Sequence, residues 1–297
     1  MIGAIEAGGT KIICALARPA DGAILAQARI DTVSPQVTYP EIRTFFEDAA
    51  AEHGAIAAFG VGSFGPFDID PRSPGYGDWG NTPKPAWQGA RWRDALDGFG
   101  VPVAYASDVD AAALGEWAKG AGAGCETLAY TTVGTGIGTG VVHRGLSRIG
   151  FSHYEAGHIR ARRDSARDPF AGSCPVHSDC FEGLASGTGI AARWGHSLSD
   201  FADATEPTRL VAGYLAQLAA SLILLHMPDR LIFGGGVMKA PGLIDALREA
   251  TIVELAGYID DPRLDPGLAR YIVTPELGDD AGIVGAVLIG QRLIGAA

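Results

Sequence analysis

The chain has 297 residues, room for two domains of ordinary size, and its 47% hydrophobic and 19% charged residues suit a globular protein with a sizeable core. A net charge of −11 with no run of lysine or arginine argues against nucleic acid and anionic membrane surfaces as partners. It does not exclude a nucleotide, which a few backbone amides and one cation can hold.

The 42 glycines are about twice the usual ~7% share, and they recur singly or in short clusters between apolar runs. Such placement suits tight turns and close approach of backbone to a ligand. The start, Met1 to Glu6, has no basic segment followed by a long apolar one, and no later stretch reaches ~18 uninterrupted apolar residues. The expected setting is the cytoplasm, with no membrane partner. There, the four cysteines (Cys14, Cys125, Cys174 and Cys180) point to metal or redox chemistry rather than disulfides.

Residues 2–7 and 11–17 are apolar runs split by Gly8-Gly9, and 23–30 reads as a third strand of a meander. In Glu6-Ala7-Gly8-Gly9-Thr10-Lys11 the glycine pair can turn its amides toward a phosphate with no side chain in the way. Thr10 and Lys11 add a hydroxyl and a charge, and Glu6 is able to hold Mg²⁺ through water. Read alone, the segment is equally a tight hairpin with polar flanks. Thr38 and Glu41 have capping-box spacing, which predicts a helix from there to about His53. Residues 56–61 read as a buried strand and 70–86 as an irregular Pro/Gly/Asp-rich loop, of a length that is often functional. A strand is predicted over 101–106 and a helix over 108–119. Asp108 and Asp110 fall in its first turn, where the macrodipole favours carboxylates whether or not they react. The sharper reading makes Asp108 the base that accepts a hydroxyl proton.

The opening device then recurs: a strand over 128–133, a Gly134-Thr135-Gly136 turn and a strand over 137–142. This predicts a weak internal duplication. Because a strand follows the glycines, the segment is neither a dinucleotide fingerprint nor a Walker loop. Residues 150–183 form a long loop holding Cys174-Pro175-Val176-His177-Ser178-Asp179-Cys180, whose C-x₂-H-x₂-C spacing can close on one tetrahedral ion. A fourth ligand is needed, and His158, His153 and Cys125 are the candidates. Helical patterns near 186–195 and 206–226 precede a strand at 231–233 that runs into Gly234-Gly235-Gly236, placed to let an adenosine ring approach the backbone. A helix from about 241, a strand near 270–274 and a final helix over 280–293 complete an α/β chain.

Taken in order, these segments resemble the ROK family (repressors, open reading frames and sugar kinases), and within it the bacterial fructokinase branch. The likeness spans nearly the whole chain. It rests on the hairpin at 6–11, Ser107-Asp108-Val109-Asp110-Ala111-Ala112-Ala113, the hairpin at 132–140, Glu155-Ala156-Gly157-His158, the cysteine–histidine loop running into Glu182-Gly183-Leu184-Ala185-Ser186-Gly187, and Gly234-Gly235-Gly236. The resemblance implies an actin-like, ribonuclease H-like fold with two similar domains around a cleft. The first would be 1–112 completed by a C-terminal helix at about 280–297, the second 113–279 with a zinc-binding loop. It implies ATP, Mg²⁺ and a structural Zn²⁺ as cofactors, a hexose substrate and a homodimer.

Residue by residue, the resemblance makes Asp108 the catalytic base. It gives Gly8, Gly9, Thr10, Lys11, Thr132, Gly134, Thr135, Gly136, Gly234, Gly235 and Gly236 to the nucleotide, and Asn81, Ser107, Asp108, Glu155 and His158 to the sugar. His158 becomes the fourth metal ligand beside Cys174, His177 and Cys180. Asn81-Thr82-Pro83-Lys84-Pro85 resembles the family's sugar-facing loop. Three positions depart from the common pattern: Glu6 where Asp is frequent, Ser107 where Asn often precedes the base, and Asp110 where Asn is usual. Asp110 is expected either to face Mg²⁺ or to lie outside the first ligand shell.

The expected reaction is transfer of the ATP γ-phosphoryl group to a hexose hydroxyl, foremost fructose O6. A glucokinase or mannokinase of the same family is the alternative, since one hydroxyl's geometry decides the sugar. A sugar-responsive transcription regulator fits poorly: the hairpin begins at residue 6, leaving no room for a DNA-binding domain before it, and the charge is wrong for DNA.

Overall fold

The computed structural model describes residues 1–80, 82, 84–201, 205–264 and 267–295. They form two compact units: Met1–Ala118 with Ser147–His153 and Asp279–Ala297, and Lys119–Leu146 with Tyr154–Gly278.

In the first unit β1 (Ile2–Ala7), β2 (Lys11–Ala17) and β3 (Ile24–Asp31) form an antiparallel meander. β4 (Ala58–Ser63) and β5 (Val103–Ser107) then add in parallel on the other side of β1, giving the order β3-β2-β1-β4-β5. Period-two alternation splits β1 between two cores. Ile5 and Ala7 join a cluster with Phe46, Phe59 and the buried Trp79, Trp87 and Trp92, whereas Ile2 and Ala4 join one with Ile283, Ala286 and Val287. α1 (Pro35–His53) starts earlier than Thr38-Glu41 suggested. Its N-cap is Ser34 with Pro35 following, and the Thr38 hydroxyl donates to Asp31 O and accepts from Val33 N–H instead of capping. Proline in the first turn fixes φ at a helical value where no intrahelical N–H is needed, which outweighs the box pattern. α2 (Arg93–Leu96) is a single turn, and α3 (Asp108–Lys119) begins directly off β5.

The second unit repeats the plan. β6 (Thr127–Val133), β7 (Ile137–His143) and β8 (Leu146–Ser147, which ends at the boundary of the two units) are followed by α4 (Phe181–Ala185), α5 (Gly187–Trp194) and α6 (Thr205–His226), then β9 (Arg230–Gly234), α7 (Leu243–Leu255) and β10 (Ile272–Val273). The sheet order is β10-β9-β6-β7-β8, with β6/β7 antiparallel and β9 parallel to both β6 and β10. Counted from each unit's first strand, both sheets read 3-2-1-4-5, so the duplication suspected from two glycine hairpins extends to whole sheets. Such a pair of sheets is the actin-like, ribonuclease H-like arrangement. α6 is long and apolar enough to cross a membrane by composition, yet Val211, Leu215, Leu218, Ala219 and Leu222 are buried in this unit's core, so it reads as a core helix. The final helix α8 (Ala281–Leu293) belongs to the first unit, where backbone meets backbone: an added Cβ on Gly285 would stand 1.7 Å from Ala111 O, and one on Gly60 2.0 Å from Ala286 O.

Candidate active site

Strand register gathers the first unit's candidates on one sheet edge. β1, β4 and β5 run parallel, with Ala7 beside Ser63 and Ser63 beside Ser107. The Gly8–Gly9 corner follows Ala7 and Asp108 follows Ser107, so corner and carboxylate stand two strand spacings apart, about 10 Å. The corner is well braced: Gly8 N–H donates to Lys11 O at 2.8 Å, and the Thr32 hydroxyl donates to Gly8 O at 2.9 Å. Gly9 and Thr10 are exposed at its tip.

Asp108 is partly exposed at the first position of α3, and its Oδ1 accepts the Val109 N–H at 2.9 Å. Close packing behind it holds the helix start: a Cβ on Gly62 would lie 2.5 Å from Ala111 Cβ. Ser107, expected at the sugar, is buried and otherwise occupied. Its hydroxyl donates to Asp110 Oδ2 at 2.8 Å and accepts the Asp110 N–H at 3.0 Å, capping α3. Asp110 is 1% exposed, and burial pushes its carboxyl up to about 6, with the Ser107 hydrogen bond pulling the other way.

Glu6 is the second perturbed acid. Burial raises its carboxyl to about 7 against the opposing pull of Lys11, with Asp108, Asp279 and Asp280 adding to the rise. Its Oε2 is buried without a hydrogen-bond partner among the described residues, and the first turn of α8 presses on it, since a Cβ on Gly282 would fall 2.6 Å from the Glu6 carboxyl carbon. A buried, unpartnered carboxylate oxygen in acidic company is what a hydrated divalent cation would satisfy. Asn81 lies outside the described residues.

In the second unit the β6–β7 corner is held from below. Gly134 N–H donates to Gly136 O at 2.9 Å, Gly187 N–H to Gly134 O at 2.7 Å, and the Thr188 hydroxyl to Thr135 O at 2.8 Å. Thr132 is partly exposed and pairs in register with Gly234. The three glycines after β9 differ in purpose. Gly234 is buried with its Cα against Tyr130 and Pro275, and Gly235 has φ +92° with Val133 O only 2.5 Å from an added Cβ. Both are glycine for packing and conformation. Gly236 alone is exposed with open space before it.

Below this corner His158, Cys174, His177 and Cys180 bring their ligand atoms within 4.8 Å of one another. His153 and Cys125 are not in the group. The Sγ of Cys174 lies 3.8 Å from Nδ1 of both histidines, and that of Cys180 lies 3.7 Å from His158 Nδ1. A tetrahedron with Zn–S ≈ 2.3 Å and Zn–N ≈ 2.0 Å has S···N edges of roughly 3.6 Å, so the donors fit a single zinc-sized ion. Burial, with Cys174 and Glu182 beside it, pushes the Cys180 thiol up to about 11. A thiolate here therefore needs a cation.

With Nδ1 turned inward, His158 Nε2 points toward Glu155 Oε2 at 4.0 Å and Glu182 Oε1 at 3.9 Å. Glu155 is exposed, whereas Glu182 reaches further, its Oε2 accepting the Ile137 N–H at 2.9 Å. Glu182 thus ties the histidine of the cysteine loop to the glycine corner. In the sequence Glu182 stands only as part of the motif that follows Cys180, with no role assigned to it.

A model of the ROK family matches residues 2–292. The chain is 40% identical to a fructokinase of Zymomonas mobilis (96% of this chain, 94% of the relative) and 38% identical to a putative fructokinase of Bacillus subtilis (100% and 97%). Among solved structures it is similar to a ROK family glucokinase from Streptomyces griseus in complex with glucose and AMPPNP, with a TM-score of 0.71 at 25% identity, covering 98% of this chain and 99% of that one.

Proposed function

Since the chain belongs to the ROK family, we propose that it is an ATP-dependent fructokinase, transferring the γ-phosphoryl group to fructose O6 in the cytoplasm as a homodimer. The observation that carries the chemistry is Asp108 at the start of a helix, two strands along one sheet edge from an exposed glycine corner. The choice of fructose rests on full-length likeness to fructokinases.

Phosphoryl transfer runs through a loose transition state, so positioning and charge neutralisation do most of the work. Asp108 accepts the proton of the attacking hydroxyl. With the Gly8 and Gly134 amides already bonded within their corners, those of Gly9 and Thr10 and of Thr135 and Gly136 take the phosphate oxygens, while Gly236 leaves room beside β9 for the nucleoside. Mg²⁺ bound near Glu6 would neutralise phosphate charge. Zn²⁺ on His158, Cys174, His177 and Cys180 would lock the His158 ring and place the proton on Nε2, where Glu155, Glu182 and a sugar hydroxyl are its partners.

The test is a coupled ADP-release assay with fructose, glucose, mannose and N-acetylated hexoses. Fructose should give the highest kcat/KM, and Asp108→Ala should lower kcat by at least ~10²-fold. Preference for glucose or mannose would move the assignment within the family, in line with the 27% identity to a Streptomyces coelicolor glucokinase over 97% of this chain. Near-normal turnover by the Asp108 variant would end its role as base.

A further inference from the structure

The Gly8–Gly9 corner carries a cation that its own hairpin does not supply. Lys84, from the loop between β4 and β5, donates from Nζ to the carbonyl oxygen of Gly9, and its Cε lies 3.5 Å from where a Gly9 Cβ would stand. The same ammonium sits 5.5 Å from the Phe64 ring centroid.

The loop is fixed on both sides of this lysine. Before it, Thr82 is 2% exposed and its hydroxyl donates to Gly65 O at 3.3 Å while accepting the Lys84 N–H at 3.4 Å. After it, Pro85–Trp87 forms a 3-10 turn whose Trp87 is 1% exposed and packs against Tyr39, Phe64 and Trp79. Because Nζ is already held at Gly9 O, the side chain gives up little further freedom on exchanging that oxygen for one of a ligand.

Place matters as much as charge. Along the edge the order is the corner after β1, Phe64-Gly65 after β4, and Asp108 after β5. The loop is tied to the middle position, Gly65, and reaches back to the corner. The phosphorus in transit must lie between the oxygen it leaves, on the corner's side, and the oxygen it joins, beside Asp108. On Glu6 three further acids, Asp108, Asp279 and Asp280, act against a single cation of the hairpin, Lys11, so negative groups outnumber positive ones there. A terminal phosphoryl group arriving there needs a positive partner.

Resting on the kinase reading, we propose that Lys84 is the cation for the terminal phosphoryl group of the nucleotide. It exchanges the Gly9 carbonyl for a γ-phosphate oxygen and stays with that oxygen as the group moves to the acceptor. The step is the established exchange: the bond from the bridging oxygen to γ-phosphorus breaks, the bond from the sugar oxygen forms, and the hydroxyl proton goes to Asp108. Lys84 gains and loses no proton.

A contact to the γ-phosphoryl group alone predicts a split between nucleotides. In calorimetry with Mg²⁺ present, Lys84→Met should bind the triphosphate analogue AMPPNP about tenfold or more weakly and ADP less than threefold more weakly. Its kcat with fructose should fall about 10²-fold, the scale of a lost transition-state donor. Lys84→Arg, which keeps the charge, should recover part of both losses. Equal weakening of AMPPNP and ADP, no weakening of either, or a rise confined to the KM for fructose would overturn the proposal, the last making Lys84 a sugar contact. Absence of hexose-dependent ADP release by the unaltered protein would instead overturn the kinase reading itself.

Discussion

Asp110→Asn isolates one buried charge whose cost can be worked out. The carboxyl of Asp110 rises from an ordinary 3.8 to about 6, chiefly through burial. Above pH 6 the folded protein therefore carries an ionised group that the unfolded chain holds more cheaply. At about 1.4 kcal/mol per pH unit, the penalty is about 3 kcal/mol at pH 8 and about 1.6 kcal/mol at pH 5, where the folded form keeps its proton. The sign follows from proton counting: a raised folded-state value means stability is lost as pH climbs from about 4 through 6. Asparagine removes the charge yet still accepts the Ser107 hydroxyl. Its amide protons bring a cost of their own, which cancels when two pH values are compared. Four of the five tryptophans, Trp79, Trp87, Trp92 and Trp117, lie in the first unit, so fluorescence follows this unit's unfolding. In urea, the stability difference between variant and parent should favour the variant by about 1.4 kcal/mol more at pH 8 than at pH 5. A difference independent of pH would refute the reasoning.

Cys174→Ser should abolish zinc binding, read by elemental analysis of the purified protein, and lower the melting temperature of the second unit; unchanged zinc content would remove Cys174 from the ligand set. Gly285→Ala should destabilise the first unit by about 2–4 kcal/mol, because the new methyl has only the Ala111 carbonyl to meet. The same fluorescence transition measures it, and an unchanged midpoint would mean that α8 can shift at little cost.

Much of the fold was legible because its punctuation is glycine. The strands over 2–7 and 11–17 were bounded by Gly8-Gly9, and the helix over 108–119 by the acids at its start, and both agree with the structure. The start of α1 was not: Thr38 and Glu41 have the spacing of a cap, but spacing does not say which hydroxyl faces a free amide. The cysteine–histidine loop was legible as a donor set, and its geometry joins His158 to it. Glu182 and Lys84 stood in motifs that carry the resemblance but had no role of their own, because their contacts run to residues 45 and 75 positions away and no local pattern encodes such a pairing. Gly234 and Gly235 show that a glycine can be required for a reason the sequence does not display. They were read as making room for a ligand, yet Tyr130 and Val133 already fill the space beside them.

The seat of α8 in the first unit has a consequence for how the chain is made. β1 is synthesised well before Ile283, Ala286 and Val287, which cover Ile2 and Ala4. Everything the second unit needs is translated before then. It can thus reach its native form while the earlier sheet waits with one oily surface bare, and a nascent protein released before the last helix would be prone to clump there.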